Sequence, residues 1–164
     1  MKSSCPRRQQ ERRIPNNVER DLLHGGRETE LRVVMALRAL GCSAAMTLER
    51  GVDIVFRPYS REARMIFGRG QQTGEVKWDK AAMRTGNIYV ETACYDKPSG
   101  ISTVNAATWW FYRIGESLYV INIDHLRMMA LPSFGAAGGD DSASRGVLIP
   151  VRTFVASVFT KALI

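Results

Sequence analysis

Two stretches decide the reading of this chain: Gly51-Val52-Asp53-Ile54-Val55-Phe56 and, further along, Gly74-Glu75-Val76-Lys77-Trp78. Each is short, rich in β-branched or aromatic residues and opened by glycine, which predicts a strand. Side chains alternate along a strand, so Glu75 and Lys77 share one face and Val76 turns to the other. If the Asp53 strand lies alongside, two carboxylates and a lysine meet on an otherwise apolar sheet. Asp53, Glu75 and the backbone carbonyl of Val76 would make a hard oxygen site suited to Mg²⁺. A lysine beside it can orient a water or neutralise charge building on a phosphate. Glu-x-Lys is also a common cross-strand ion pair, which needs no chemistry at all.

Working outward, Leu31, Val34, Met35, Leu37 and Leu40 recur at helical spacing and Gly41 follows as a stop. This predicts an amphipathic helix from Arg27, with Glu28 and Glu30 in the first turn where the helix dipole favours carboxylates. Arg64-Met65-Ile66-Phe67 reads as a further strand, ended by Gly68-Arg69-Gly70. After Trp78 come a polar helical turn through Ala81–Met83 and a strand over Asn87–Glu91. Lys97–Thr103 is a loop by its Pro, Gly and Ser content, with a helical turn at Val104–Ala107. Trp109–Ile114 and Leu118–Ile123 flank Gly115-Glu116-Ser117 as a hairpin, and Ile123–Leu131 is compatible with a helix. Residues 133–146 are small and polar, a surface loop or linker. Val147–Ile164 should return as a strand and a helix. The order predicts an α/β domain over 27–164 built around a central sheet.

The chain has 164 residues, a length that suits a single core. No apolar run approaches a membrane span, and MKSSCPRRQQERR lacks the apolar segment of a secretory signal. Residues 1–26 read as a basic arm, either solvated or lying along phosphates. Lys+Arg 23 against Asp+Glu 16 gives a net charge of +7, which points to a polyanionic partner, nucleic acid first. Cys5, Cys42, Cys94, His24 and His125 lie too far apart for a zinc knuckle. Reduced thiols in a cytoplasmic protein are expected.

The ordered set of motifs resembles the PD-(D/E)xK nuclease superfamily, and within it the phage-type and archaeal endonucleases that resolve Holliday junctions. Glu30 in the first helix, Gly51–Val55, Gly74–Lys77 and the run Thr85–Glu91 followed by Lys97–Ser102 carry the resemblance, which spans 28–131. It departs at Val52, where many members have proline. The resemblance implies a restriction-endonuclease-like mixed β-sheet core flanked by helices. It implies metal-related carboxylates at Glu30, Asp53 and Glu75, a catalytic lysine at Lys77, and Mg²⁺ (or Mn²⁺) as cofactor. The reaction it implies is in-line attack of water on DNA, leaving 5′-phosphate and 3′-hydroxyl ends, in the host cytoplasm if the chain is phage-encoded.

Secondary candidates surround this set. Glu91, ending a strand beside the site strand, either reaches a second metal or is a surface carboxylate, and Asp79 shares the ambiguity. Arg57, Arg61, Arg64, Arg69, Lys80 and Arg84 form the expected rim of a DNA cleft, joined by Lys97. Ser99, Gly100, Ser102 and Thr103 either present hydroxyls and N–H groups to a phosphate or make an ordinary turn. Trp109–Tyr112 are mostly core, although aromatic residues can stack bases. A non-cleaving DNA-binding module and a nuclease for single strands or RNA are the competing readings. A four-way junction as substrate would call for a homodimer, its contact drawn from Trp109–Ile114 or from Val147–Ile164.

Overall fold

Helix α1 (Arg27–Ala39) buries Val33, Val34, Ala36 and Leu37 along one stripe and keeps Glu28 and Glu30 in its first turn. Gly41 ends it at φ 88°, where a Cβ would lie 2.5 Å from the Ser60 side chain, so only glycine allows the reversal into the next strand. These features belong to a computed structural model that describes residues 25–48, 51–95, 97–103, 107–138 and 144–163. The predicted arm 1–26 lies outside the described residues except for Gly25 and Gly26, which lead into α1. The expected helical turn at 104–107 falls there too, save for Ala107.

After α1 come β1 (Cys42–Met46), β2 (Ile54–Pro58), α2 (Arg61–Phe67), β3 (Gln72–Trp78), α3 (Ala82–Thr85) and β4 (Asn87–Cys94). Then follow β5 (Lys97–Pro98), a 3-10 turn (Gly100–Ser102), β6 (Trp109–Ile114), β7 (Ser117–Asn122) and α4 (Ile123–Ala130). The chain closes with β8 (Phe134–Gly138), β9 (Ser144–Pro150), α5 (Val151–Ala156) and β10 (Lys161–Ala162). Mixed α/β architecture is therefore what the chain adopts, but with two sheets: a larger one ordered β1-β2-β3-β6-β7-β10 and a smaller one ordered β5-β4-β9-β8. Within the larger sheet only β3 and β6 run parallel; its other neighbours are antiparallel.

Four expectations need correction. Arg64–Phe67 is the end of a helix, because Ser60 caps it by accepting the Ala63 N–H at 3.0 Å, and Ala63 and Phe67, four apart, bury one face. Cys42–Met46, unassigned from sequence, is the edge strand β1, held through its ladder with β2. The supposed linker 133–146 contributes β8 and the start of β9; main-chain pairing to β9 makes a strand of Phe134-Gly135-Ala136-Ala137-Gly138, whose composition carries no strand signal. Finally, β4 is not beside the site strand: it belongs to the smaller sheet, and Glu91 sits in its middle, at a bulge where the register with β9 shifts between Glu91 and Ala93.

Alternation along β6 sorts the interior into two cores. Phe111, with Ile54, Phe56 and Leu118, meets α1 and α2 on one face. Trp110, Tyr112 and Ile121 meet Ile88, Val90 and Ile149 of the smaller sheet, with Leu126 and Phe154, on the other. Trp110, Phe111 and Tyr112 are at most 1% exposed, so Trp109–Ile114 is a central strand and offers no surface for a dimer.

Gly74 sits where β2, β3 and β6 meet, and a Cβ there would lie 2.6 Å from the buried Phe111 ring. We expect Gly74→Ala to lower stability by about 2 kcal/mol in urea titrations, because neither the ring nor the adjoining Ile54 has room to yield.

Candidate metal centre and nucleic-acid face

Strand β3 holds Glu75 and Lys77 on the face that carries Trp110 and Tyr112 of the parallel neighbour β6, by the register Glu75↔Trp110 and Lys77↔Tyr112. Lys77 Nζ donates to Glu75 Oε1 at 2.6 Å and lies 5.5 Å from the centre of the Trp110 ring. The Glu75 side chain is 17% exposed and that of Lys77 41%, so the pair sits at the margin of the buried layer. Asp53 stands just ahead of β2. Its N–H donates to the Gly74 carbonyl at 2.9 Å, and its carboxylate accepts the Val76 N–H at 2.7 Å. This ties the end of β2 to the middle of the Glu-x-Lys strand.

Glu30, half-buried in the first turn of α1, completes the group. Its carboxyl is pushed up from the usual range, first by burial and then by the charge of Asp53, against a lowering by Arg27 and a further rise from Glu75. Glu75 is pushed up as well, chiefly by burial; Lys77 opposes this, while Asp53 and Glu91 add to it. Glu30, Asp53 and Glu75 thus lie within electrostatic reach of one another, with fewer cations than carboxylates among them.

Glu91 arrives from the smaller sheet. Its carboxylate accepts the hydroxyls of Ser99 and Ser144, the latter at 2.8 Å, and Ser144 in turn bonds Tyr89 Oη at 2.8 Å. The Ser99 hydroxyl is therefore engaged by Glu91 rather than held out for a phosphate, whereas Ser102 is exposed. Asp79 serves the backbone, accepting from the N–H groups of Ala81 and Tyr89.

Sequence reasoning missed Arg113. This buried guanidinium bonds Glu28 Oε1 at 3.3 Å, Glu116 Oε1 at 3.3 Å and the Gly115 carbonyl at 3.1 Å, and it lies 4.6 Å from the Trp78 ring centre. It thereby joins the residue after Lys77 to the turn of α1 that bears Glu30. The available signal was a charge in the otherwise apolar run Trp109–Ile114. Ser144, which orients Glu91, gave no signal in its small, polar surroundings.

The donor set is oxygen-only, and its mutual repulsion leaves negative charge that a hard divalent cation would relieve, so in chemistry and charge it fits Mg²⁺. Among the described residues, however, no three His, Cys, Asp or Glu side chains are gathered closely enough to form a ready-made metal group. Cys42 is buried with its thiol pushed up to about 11, an inert group rather than a nucleophile.

The basic candidates divide. Arg57, Arg61, Arg69, Lys80, Arg84 and Lys97 are all exposed. Arg57 and Arg69 converge with Arg64 on one concavity. Lys80 lies over Trp78, at 4.4 Å from the ring centre, Arg84 is on α3 and Lys97 on β5. No helix among the described residues is long and apolar enough to cross a membrane.

The class defined by fold and site is thus a mixed α/β protein with an acidic group and one lysine at the seam between two sheets. No protein-family model, curated protein or solved structure matches the chain.

A carboxyl with raised proton affinity favours the folded chain below its ordinary value of 4.5 and loses that contribution as pH rises through the shifted value. Ionised Glu75 is therefore a burden near neutral pH. We expect Glu75→Gln to melt at or above the wild-type temperature near pH 7, with the difference shrinking as pH falls toward 4.5. Calorimetry across that range checks it.

Proposed function

We propose that the protein is a Mg²⁺-dependent endonuclease that hydrolyses DNA phosphodiester bonds, with branched or structured DNA such as a Holliday junction as its substrate. The observation that carries the reading is the tie between Asp53 and the Glu75–Lys77 strand, with Glu30 in electrostatic reach and the lysine bonded to Glu75 at 2.6 Å. The preference for branched DNA rests on the resemblance to junction-resolving enzymes.

In this reading Glu30, Asp53, Glu75 and the Val76 carbonyl hold Mg²⁺, with Mn²⁺ able to substitute. The bound cation supplies Lewis-acid stabilisation of the phosphoryl oxygens and makes water more acidic. Lys77, fixed by Glu75 and beside Trp110, neutralises charge building on the phosphate and orients the attacking water. The water oxygen bonds to phosphorus, the bond to the 3′ oxygen breaks, and a proton passes to that oxygen. Products are a 5′-phosphate and a 3′-hydroxyl. The crowding of carboxylates supports catalysis over mere binding, since a binding module gains nothing from it.

A non-cleaving DNA-binding module is the second reading, and the absence of a ready-made metal group among the described residues favours it. Incubation with four-way junction, flap, duplex and single-stranded DNA, with Mg²⁺, Mn²⁺ or EDTA, separates the two. We expect cutting that needs the divalent ion and vanishes in Glu75→Gln, while DNA affinity stays nearly unchanged because it rests on the basic surface. Full activity in EDTA, or undiminished cutting by the variant, rejects the mechanism.

A four-way junction offers two symmetry-related strands, so a two-fold dimer is expected on it. The C-terminal stretch leaves Val158 75% and Phe159 44% exposed. Light scattering that returns a mass near 18.3 kDa with and without junction DNA would refute the dimer.

A further inference from the structure

The two faces of the larger sheet are covered unequally. Helix α1 packs over β1 and β2 on one face, burying Cys42, Ala44, Ile54 and Phe56. On the other face the smaller sheet reaches only β6 and β7, through Trp110, Tyr112 and Ile121, and neither β1 nor β2 contributes to that core. Their outward side chains stay open: Ser43, Ala45 and Arg57 are exposed and Val55 is half-buried.

The open face is concave. A trough of about 270 Å³ is lined by Ser43, Ala45, Val55, Arg57 and Gln71. Arg57 also lines a second concavity of about 380 Å³, shared with Arg64 of α2 and Arg69 of the turn that follows. Among the described residues no carboxylate pairs with these three guanidiniums. Like charges converging without a counter-charge repel, and the natural partner for such a group is a phosphate, which planar guanidinium forks bind well. Asp53 lies four residues before Arg57, about 13 Å at the rise of an extended strand. The trough therefore begins near the acidic group and ends at the arginines.

We propose that this uncovered half of the larger sheet is the path of a DNA strand, with the phosphate to be cleaved at Glu75 and Lys77 and phosphates further along the same strand held by Arg57, Arg64 and Arg69. The placement of the scissile phosphate rests on the nuclease reading; the strand path does not. A free anion on an exposed arginine cluster gains little against water and salt, whereas a strand gains from several contacts at once and from counterion release. The floor of Ala45 and Val55 suits the apolar edge of a sugar.

The test is fluorescence anisotropy of a labelled single-stranded oligonucleotide in EDTA, so that nothing is cut, across a salt series. Arg57→Ala combined with Arg69→Ala should weaken binding about tenfold and reduce the slope of log affinity against log salt by about two, one unit per lost phosphate contact. Both side chains are exposed and unpaired, so circular dichroism should match the wild type. Arg152→Ala, an exposed arginine on α5, should leave affinity and slope unchanged. Neither inorganic phosphate nor a dinucleotide should displace the oligonucleotide at millimolar concentration. Wild-type affinity and slope in the double variant would overturn the proposal, as would displacement by inorganic phosphate, which would make this a small-anion site. A protein that cuts no DNA yet loses binding in the double variant upholds the strand path and sinks the nuclease reading. One whose cutting depends on Glu75 while binding ignores the arginines does the reverse.

Discussion

The parallel pairing of β3 with β6 is the constraint on which the rest of the molecule depends. It places Trp109 and Phe111 beside Gly74 and Val76 on one face, and Trp110 and Tyr112 beside Glu75 and Lys77 on the other. With large aromatic groups on both sides of β6, each face must be covered, and the chain covers them with different material. Helices α1 and α2 close the first face, and the smaller sheet closes the second. Glycine at position 74 is part of the same constraint, since the Phe111 ring occupies the space a side chain would need. A one-residue slip in this ladder would carry both charged residues of β3 into the helical core.

Charge is concentrated where the cover ends. Glu75 is mostly buried, within reach of Asp53, Glu30 and Glu91, and opposed directly by Lys77. Such a grouping does not help folding; it survives because the surrounding structure over-determines it. Arg113 fixes the turn of α1 that carries Glu30 and packs against Trp78. Ser99 and Ser144 fix Glu91, and the Val76 N–H fixes Asp53. Each carboxylate is thus held by a different element, and rigid elements place groups more accurately than loops do.

The smaller sheet then has two consequences. It desolvates one side of the acidic group through the layer of Trp110 and Tyr112, and by stopping at β6 it leaves the outward side of β1 and β2 bare. That bare side carries Arg57 beside Arg64 and Arg69. A basic trough next to a partly dry acidic group is the arrangement that phosphodiester chemistry on a long polyanion calls for: affinity from the open face, reactivity from the covered one.

The chain's local pattern was enough to predict α1, whose apolar residues recur with the helical period, and the hairpin of β6 and β7 around Gly115. It was also enough to put Glu75 and Lys77 on one face, because alternation in a strand is a property of the backbone alone. Helix α2 was misread because Met65-Ile66-Phe67 is apolar without visible period, and the deciding signal, the Ser60 cap, lies upstream of it. Strand β8 had no local signal, since Gly and Ala become strand there only through hydrogen bonds to β9. The split into two sheets, the arrival of Glu91 across the seam and the anchoring of α1 by Arg113 were all decided by tertiary structure. They depend on which surfaces bury one another across long separations in the chain, and local periodicity carries no record of that choice.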